Sequence, residues 1–171
     1  MLRKISSFIL LVLLYACSGE PEFQQPSMKE VQEALLEANI KAIQMESDQI
    51  DAYVQRKKLD VNVTGTGLRY FIYHKGEQQV KAAYHKNVVI NYTVTLLNGD
   101  TCYATKGEPE EFTVGEDNAE SGLHEGIQLM HEGDKAIMII PSHLAHGLAG
   151  DLKKIPIRST IVYDVELVKV K

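Results

Sequence analysis

The spacing of apolar positions changes character along the chain. From Met28 to about Lys57 there is no glycine or proline. Apolar residues recur there every three to four positions: Val31, Leu35, Ala38, Ala42 and Met45 in one row, and Leu36, Ile40, Ile43 and Ile50 in the next. That period belongs to an α-helix. Ser27-x-x-Glu30, directly after Pro26, has the form of a capping box and marks the start. Glu37 and Lys41 add a favourable i,i+4 pair. At 1.5 Å per residue, such a helix reaches about 45 Å. Ser47-Asp48 offers a second cap, so a break into two helices is the alternative. The stripe is wide for a solitary helix. Either it packs on its own domain, or it serves as a dimer contact or a spacer from a membrane.

After Asn62–Gly67 the period falls to two, the signature of strands. "LRYFIY" (68–73) alternates and ends at Lys75-Gly76. "NVVINYTVTLL" (87–97) predicts a long strand closed by Asn98-Gly99, a strong hairpin signal, with "DTCYA" (100–104) returning. "EFTV" (111–114) is a further short strand. Leu123, Ile127 and Met130, at i, i+4 and i+7, predict one short helix that Gly133 ends. "DKAIMII" (134–140) is strand-like. In "TIVYDVELVKV" (160–170), Ile161, Tyr163, Val165 and Leu167 share one face, with Asp164 and Glu166 on the other. The sum is an α+β fold, an antiparallel curved sheet closing on one short helix, preceded by a long helical segment. No internal repeat is visible.

At 171 residues the chain is long enough for one domain with a real core. Its net charge of −5 argues against nonspecific nucleic-acid binding, which needs a basic face. The opening "MLRK" is basic, and "ISSFILLVLLYA" is shorter than the roughly 20 residues of a membrane-spanning helix. Together they read as a secretory signal. Leu14-Tyr15-Ala16-Cys17 resembles the bacterial lipobox, which implies removal of residues 1–16 and a lipid on Cys17. An uncleaved anchor or an ordinary cleavage site is the alternative. Losing Arg3 and Lys4 makes the mature chain more acidic. Residues 17–27 then hold the lipidated cysteine and a polar, proline-containing tether. Cys102 is left without a disulfide partner, and with no basic group beside it in sequence it reads as a strand residue rather than a nucleophile.

The stretch between the last two strands holds His143-x-x-His146. As a metal site this pair needs a further ligand and supporting contacts. His124 and His131 are available, but on the expected short helix they face away from Leu123 and Ile127.

A linked series of motifs carries a family resemblance. "GLHEGIQLMHEGDKAIMIIPSHLAHG", followed by "IP" and "STIVYDVELVKV", resembles the C-terminal half of an FKBP-type peptidyl-prolyl cis-trans isomerase. "VVINYTVTLLNGD" and "FTVG" fit the earlier half in order and spacing, so the resemblance runs from about residue 68 to 171. The long helical segment, the stretch after it and the lipobox further resemble lipid-anchored FKBPs of Bacteroidetes, including those associated with gliding motility. The resemblance implies a five- or six-stranded half-barrel wrapped on one helix, with a pocket between them. Residues 115–122 and 142–157 would roof it. It implies isomerisation of X-Pro bonds with no cofactor and no metal.

The same resemblance distributes roles. Tyr92, Leu123, Tyr163 and His146 would be the catalytic surface: Tyr92 as one wall, Leu123 as the floor, Tyr163 with Ile155 as the far side, and His146 in place of a common roof tyrosine. Tyr103, Phe112, Ala119 and Glu120 would bind substrate, the Glu120 backbone N–H holding a carbonyl. Taken singly, each aromatic or leucine reads as plain core. Three departures touch the polar rim: Cys102-Tyr103 where a Phe-Asp pair is common, Glu110 where an aromatic is expected, and His146. The implied organisation is a leader (1–16), a lipidated tether (17–27), a helical segment (28–60) and an isomerase domain (61–171). The implied partners are proline-containing polypeptides, a bacterial membrane on its periplasmic side through the lipid on Cys17, and a second copy through the N-terminal helix. A catalytically weak polypeptide-binding module is the alternative to an isomerase.

Overall fold

The structure, a computed structural model, describes residues 25–171. The expected leader, lipobox and Cys17 lie outside the described residues. The chain divides after Ile40 into two units.

Helix α1 (Met28–Lys57) is a single helix rather than two. The Ser27 backbone N–H donates to Glu30 Oε2 at 2.7 Å and the Glu30 N–H to Ser27 Oγ at 3.3 Å, closing the capping box. In the first unit Val31, Leu35, Leu36 and Ile40 are exposed. Ser47 and Asp48 do not interrupt the helix, because their side chains are engaged elsewhere: Ser47 Oγ accepts from Arg69, and Asp48 accepts from Gln44 one turn earlier. The helix ends on Lys58, whose φ of 53° is the left-handed conformation that caps helices, with the Leu59 N–H returning to the Val54 carbonyl.

The second unit holds a seven-stranded antiparallel sheet. Its strands are β1 (Asn62–Val63), β2 (Arg69–His74), β3 (Asn87–Leu96), β4 (Thr101–Ala104), β5 (Glu110–Thr113), β6 (Lys135–Ile140) and β7 (Ile161–Val170). They run in the order β1-β2-β6-β7-β3-β4, and β5 also pairs with β3. The strand count exceeds five or six because β1 is a two-residue addition and β4 and β5 share one edge of β3, β5 along Asn87–Ile90 and β4 along Thr93–Thr95. The Asn98-Gly99 turn has Gly99 at φ 96°, and Asn98 Oδ1 accepts from the Asp100 N–H.

Helix α2 (Ser121–Ile127) is shorter than its apolar spacing predicts. It stops at Ile127, and the chain tightens into i→i+3 turns, with Leu129 N–H on Gly126 O and Met130 N–H on Ile127 O. Met130 is still fully buried, but from a turn. His131 therefore leaves the helix and bridges to Lys81. Two glycines let α2 lie against β6. A Cβ on Gly122 would come within 2.3 Å of Ile140 Cγ2, and one on Gly126 within 2.3 Å of Met138 Sδ.

The sheet has apolar residues on both faces. Ile90, Val94, Met138, Ile140, Ile161, Tyr163, Val165 and Leu167 face α2 and form the main core. Ile139 and Val162, one residue out of phase, pack with Ile50 and Tyr53 of α1. Thus Val162 shares the face of Asp164 and Glu166, yet is buried because α1 covers it. Arg69 is buried at this junction. It donates to Asp51 Oδ1 at 2.9 Å, Ser47 Oγ at 2.8 Å and Gly67 O at 2.9 Å, which offsets part of its desolvation, while its buried Nε has no partner among the described residues.

Candidate active site

A cavity of about 480 Å³ opens between α2 and the sheet. Its apolar wall follows from strand periodicity. Ile90, Tyr92 and Val94 alternate onto one face of β3, and Tyr163 stands beside them on β7, paired with Val94. Leu123, on the first turn of α2, and Phe112, on β5, add apolar surface. The Tyr92 and Tyr163 rings lie 5.4 Å apart at 53°, a tilted aromatic pair. Phe112 meets the His124 ring edge-on.

The rim is polar in a repeated way: tyrosine hydroxyls donate to carboxylates. Tyr92 Oη–H donates to Glu110 Oε2 at 2.9 Å, Tyr163 Oη–H to Glu120 Oε2 at 2.9 Å, and Tyr103 Oη–H to Asp151. Glu120 is shared, since His146 Nε2 lies 3.0 Å from its other oxygen. Burial, reinforced by Glu110, pushes the Tyr92 phenol up to about 12. The hydrogen bond to Asp151, then burial, pushes Tyr103 up to about 12. Burial and the charge of Glu120 raise Tyr163 far above the ordinary phenol range. Burial works to raise the Asp151 carboxyl too, but is outweighed by Tyr103 and by the N–H groups of Ile155, Lys153 and Lys154, which hold it well below the usual carboxylate range. The phenols are thus neutral donors at physiological pH.

The residues expected in a pocket are mostly brought together. Tyr92, Tyr103, Phe112, Ala119, Glu120, Leu123, His146 and Tyr163 all line this cavity. Ile155 does not. It is buried in the main core, because its backbone N–H turns back onto Asp151 Oδ1 and draws the side chain under the loop. Among the described residues, the Glu120 backbone N–H joins no hydrogen bond, so it is free to meet a carbonyl. Asp151 was not anticipated. Its local signal is the turn-forming pair Gly150-Asp151, and its Oδ1 accepts the Lys153 and Lys154 N–H groups in an Asx-type turn. It supplies a carboxylate opposite Tyr103, where that tyrosine replaces the Asp of the common pair.

The two histidines of His143-x-x-His146 part company. His143 Nε2 bonds the Thr66 carbonyl at 3.0 Å, whereas His146 meets Glu120. His124 takes the Gly115 N–H on Nδ1 and faces Asp117 O with Nε2. Among the described residues, no three His, Cys, Asp or Glu side chains are grouped to hold a metal. Cys102 is a buried free thiol whose pKa burial raises.

Residues 78–168 match the family model of FKBP-type peptidyl-prolyl cis-trans isomerases, more than half of the chain. The chain belongs to the FKBP family. The FKBP-type isomerase FkpA of Escherichia coli is 38% identical over 118 residues, 67% of this chain and 42% of that protein. A probable FkpA of Neisseria meningitidis is 30% identical over 162 residues, 88% of this chain and 57% of that protein. The crystal structure of E. coli FkpA superposes with a TM-score of 0.65 at 28% identity, covering 98% of this chain and 82% of that one. The N-terminal domain of Arabidopsis thaliana FKBP42 shares the fold, with a TM-score of 0.61 at 21% identity over 66% of this chain and 92% of that one. This FKBP spans about half the length of these bacterial relatives.

Proposed function

We propose that this FKBP catalyses cis-trans interconversion of X-Pro peptide bonds in the cavity between α2 and the sheet. The carrying observation is the joint placement of Tyr92, Phe112, Leu123 and Tyr163 around one cavity in a chain of this family. Rotation about the amide has a barrier of about 18–20 kcal/mol because C–N conjugation is lost on twisting. The two planar isomers of X-Pro differ by only about 0.5–1 kcal/mol. A catalyst therefore needs to bind the twisted amide better than either planar form. An apolar wall favours the twisted form, which has a smaller dipole. The Glu120 N–H fixes the neighbouring backbone. Neither a covalent step nor a cofactor enters. The test is exchange of short X-Pro peptides by the full-length chain, and an absence of catalysis by folded protein would sink the reading.

A second reading is a polypeptide-binding module of weak activity. It is favoured by the carboxylates that occupy the polar rim and by Leu148, Leu152 and Ile157, exposed on the same loop that carries His146. Binding of an unfolded, proline-free chain, together with no catalysis of X-Pro peptides by the same folded protein, would select it.

The lipobox-like Leu14–Cys17 supports a lipid anchor in a bacterial envelope, on the periplasmic side, where the protein would assist folding of exported chains. An association with gliding rests on the likeness of the amino-terminal stretches. The exposed Val31, Leu35, Leu36 and Ile40 support a second copy as partner of α1. Metabolic labelling with palmitate, lost in Cys17→Ser, tests the anchor. Sedimentation of the detergent-solubilised chain tests the dimer.

A further inference from the structure

We propose that Glu46 of α1 is a positioning residue for the pocket, because its single carboxylate pins both ends of the roof loop. The functional part of this inference rests on the isomerase reading. Glu46 Oε1 accepts from the Ser142 backbone N–H at 2.6 Å and from Thr160 Oγ1–H at 2.6 Å, while Oε2 accepts from Ser142 Oγ–H at 2.9 Å. Ser142 opens the loop just after β6, and Thr160 closes it just before β7. Both are buried, at 8% and 5% exposure. Three donors converging on one half-buried carboxylate make charge-assisted bonds.

The sheet alone already brings the loop ends together, since Ile140 and Ile161 are register partners. What the carboxylate adds is the direction of the first turn. The Ser142 carbonyl accepts from the Ala145 N–H at 3.0 Å and the Gly147 N–H at 2.7 Å, so the residue that Glu46 holds brackets His146. The Gly147 carbonyl then takes the Arg158 N–H at 2.8 Å, drawing in the returning limb. His146, Asp151 and Lys153 enter the cavity from this loop. The N-terminal helix thereby reaches the pocket through one side chain.

A loop that samples a displaced state lowers the binding-competent fraction, which weakens ground-state and transition-state binding alike. Losing the clamp should therefore raise KM and leave kcat alone. In the full-length chain in detergent, Glu46→Ala is expected to speed hydrogen exchange at the Ala145 and Gly147 amides by about tenfold and raise KM by about tenfold. Amides of β3 and β7 keep their protection. Glu46→Gln restores both readouts, because its carbonyl oxygen can accept from Ser142 N–H and Thr160 while its amide donates to Ser142 Oγ. The proposal is overturned by unchanged loop exchange in Glu46→Ala, by acceleration spread evenly over β3 and β7, by a loss confined to kcat, or by a Gln variant as impaired as Ala. Should Glu46→Ala not fold, Thr160→Val removes one donor and carries the same prediction at smaller size. If the wild-type chain does not catalyse, the isomerase reading fails, and exchange at Ala145 and Gly147 still decides the clamp.

Discussion

Tyr163 separates the contribution of an aromatic wall from that of a hydroxyl. Its ring is nearly fully buried and pairs with Tyr92, while its hydroxyl donates to Glu120 Oε2. Tyr163→Phe keeps the ring and deletes the donor. A hydrogen bond to a charged group contributes about 1.5–3 kcal/mol. The low end applies here, since Glu120 keeps His146 at 3.0 Å and its side chain is 14% exposed. A loss of about 1.5 kcal/mol corresponds to about 3–6 °C in Tm for a chain of this size. Tyr163→Ala removes the ring as well and is expected to cost about 3–5 kcal/mol. Catalysis should divide differently. If apolar surface around a twisted amide does the work, kcat/KM of the Phe variant stays within about threefold of wild type while the Ala variant falls by tenfold or more. Thermal melts by circular dichroism and X-Pro exchange followed by NMR read the two quantities. Because the folded phenol is raised above its ordinary value of 10.0, its contribution is complete below that pH and is lost only as pH rises through the folded value. The Tyr-to-Phe gap should therefore show no loss from Tyr163 ionisation between pH 6 and about 9. Equal losses of activity in Phe and Ala would refute the argument and make the hydroxyl the working group.

Three further substitutions follow from the same geometry. Gly122→Ala places a methyl 2.3 Å from Ile140 Cγ2 and 3.2 Å from the Leu144 carbonyl, so the urea midpoint should drop by the equivalent of about 1–3 kcal/mol; an unchanged midpoint would mean that α2 can slide off β6 freely. Asp151→Asn should destabilise the chain at neutral pH. The folded carboxyl is depressed below its ordinary 3.8, so its contribution is present above that value and lost as pH falls toward the folded one; the gap between variant and wild type should close in acid, and a gap constant with pH would contradict the assignment. His146→Tyr restores an aromatic hydroxyl to the roof and should raise kcat/KM for X-Pro peptides; unchanged turnover would remove His146 from the list of limiting residues.

Much of the site was legible because strand alternation is local. Ile161, Tyr163, Val165 and Leu167 could be put on one face from sequence alone, and Tyr92 follows from the same period in β3. Family likeness then joined Tyr92, Phe112, Leu123 and Tyr163 into one pocket. What escaped was the polar wiring. Asp151 lies 48 residues from Tyr103, and Glu46 lies 96 from Ser142 and 114 from Thr160; no periodicity links such positions. The family likeness puts Ile155 in the pocket as well, but the turn around Asp151 buries it in the core.

The amino-acid sequence by itself determined the local elements: where α1 starts, which runs are strands, and which turn closes the β3–β4 hairpin. Capping boxes, side-chain alternation and Asn-Gly turns act over a few residues and carry their own hydrogen bonds. The tertiary structure decided what those elements do. The apolar stripe of α1 is split, with Ile50 and Tyr53 buried on the outer face of the sheet while Ile43 and Met45 stay exposed. Helix α2 ends at Ile127 although Met130 continues its period, because a buried side chain can be supplied as well by a turn as by a helix. A glutamate on a helix surface became the anchor of the pocket's roof because sheet register brings Ser142 and Thr160 to the same place, and register is set by pairings that run the length of the chain.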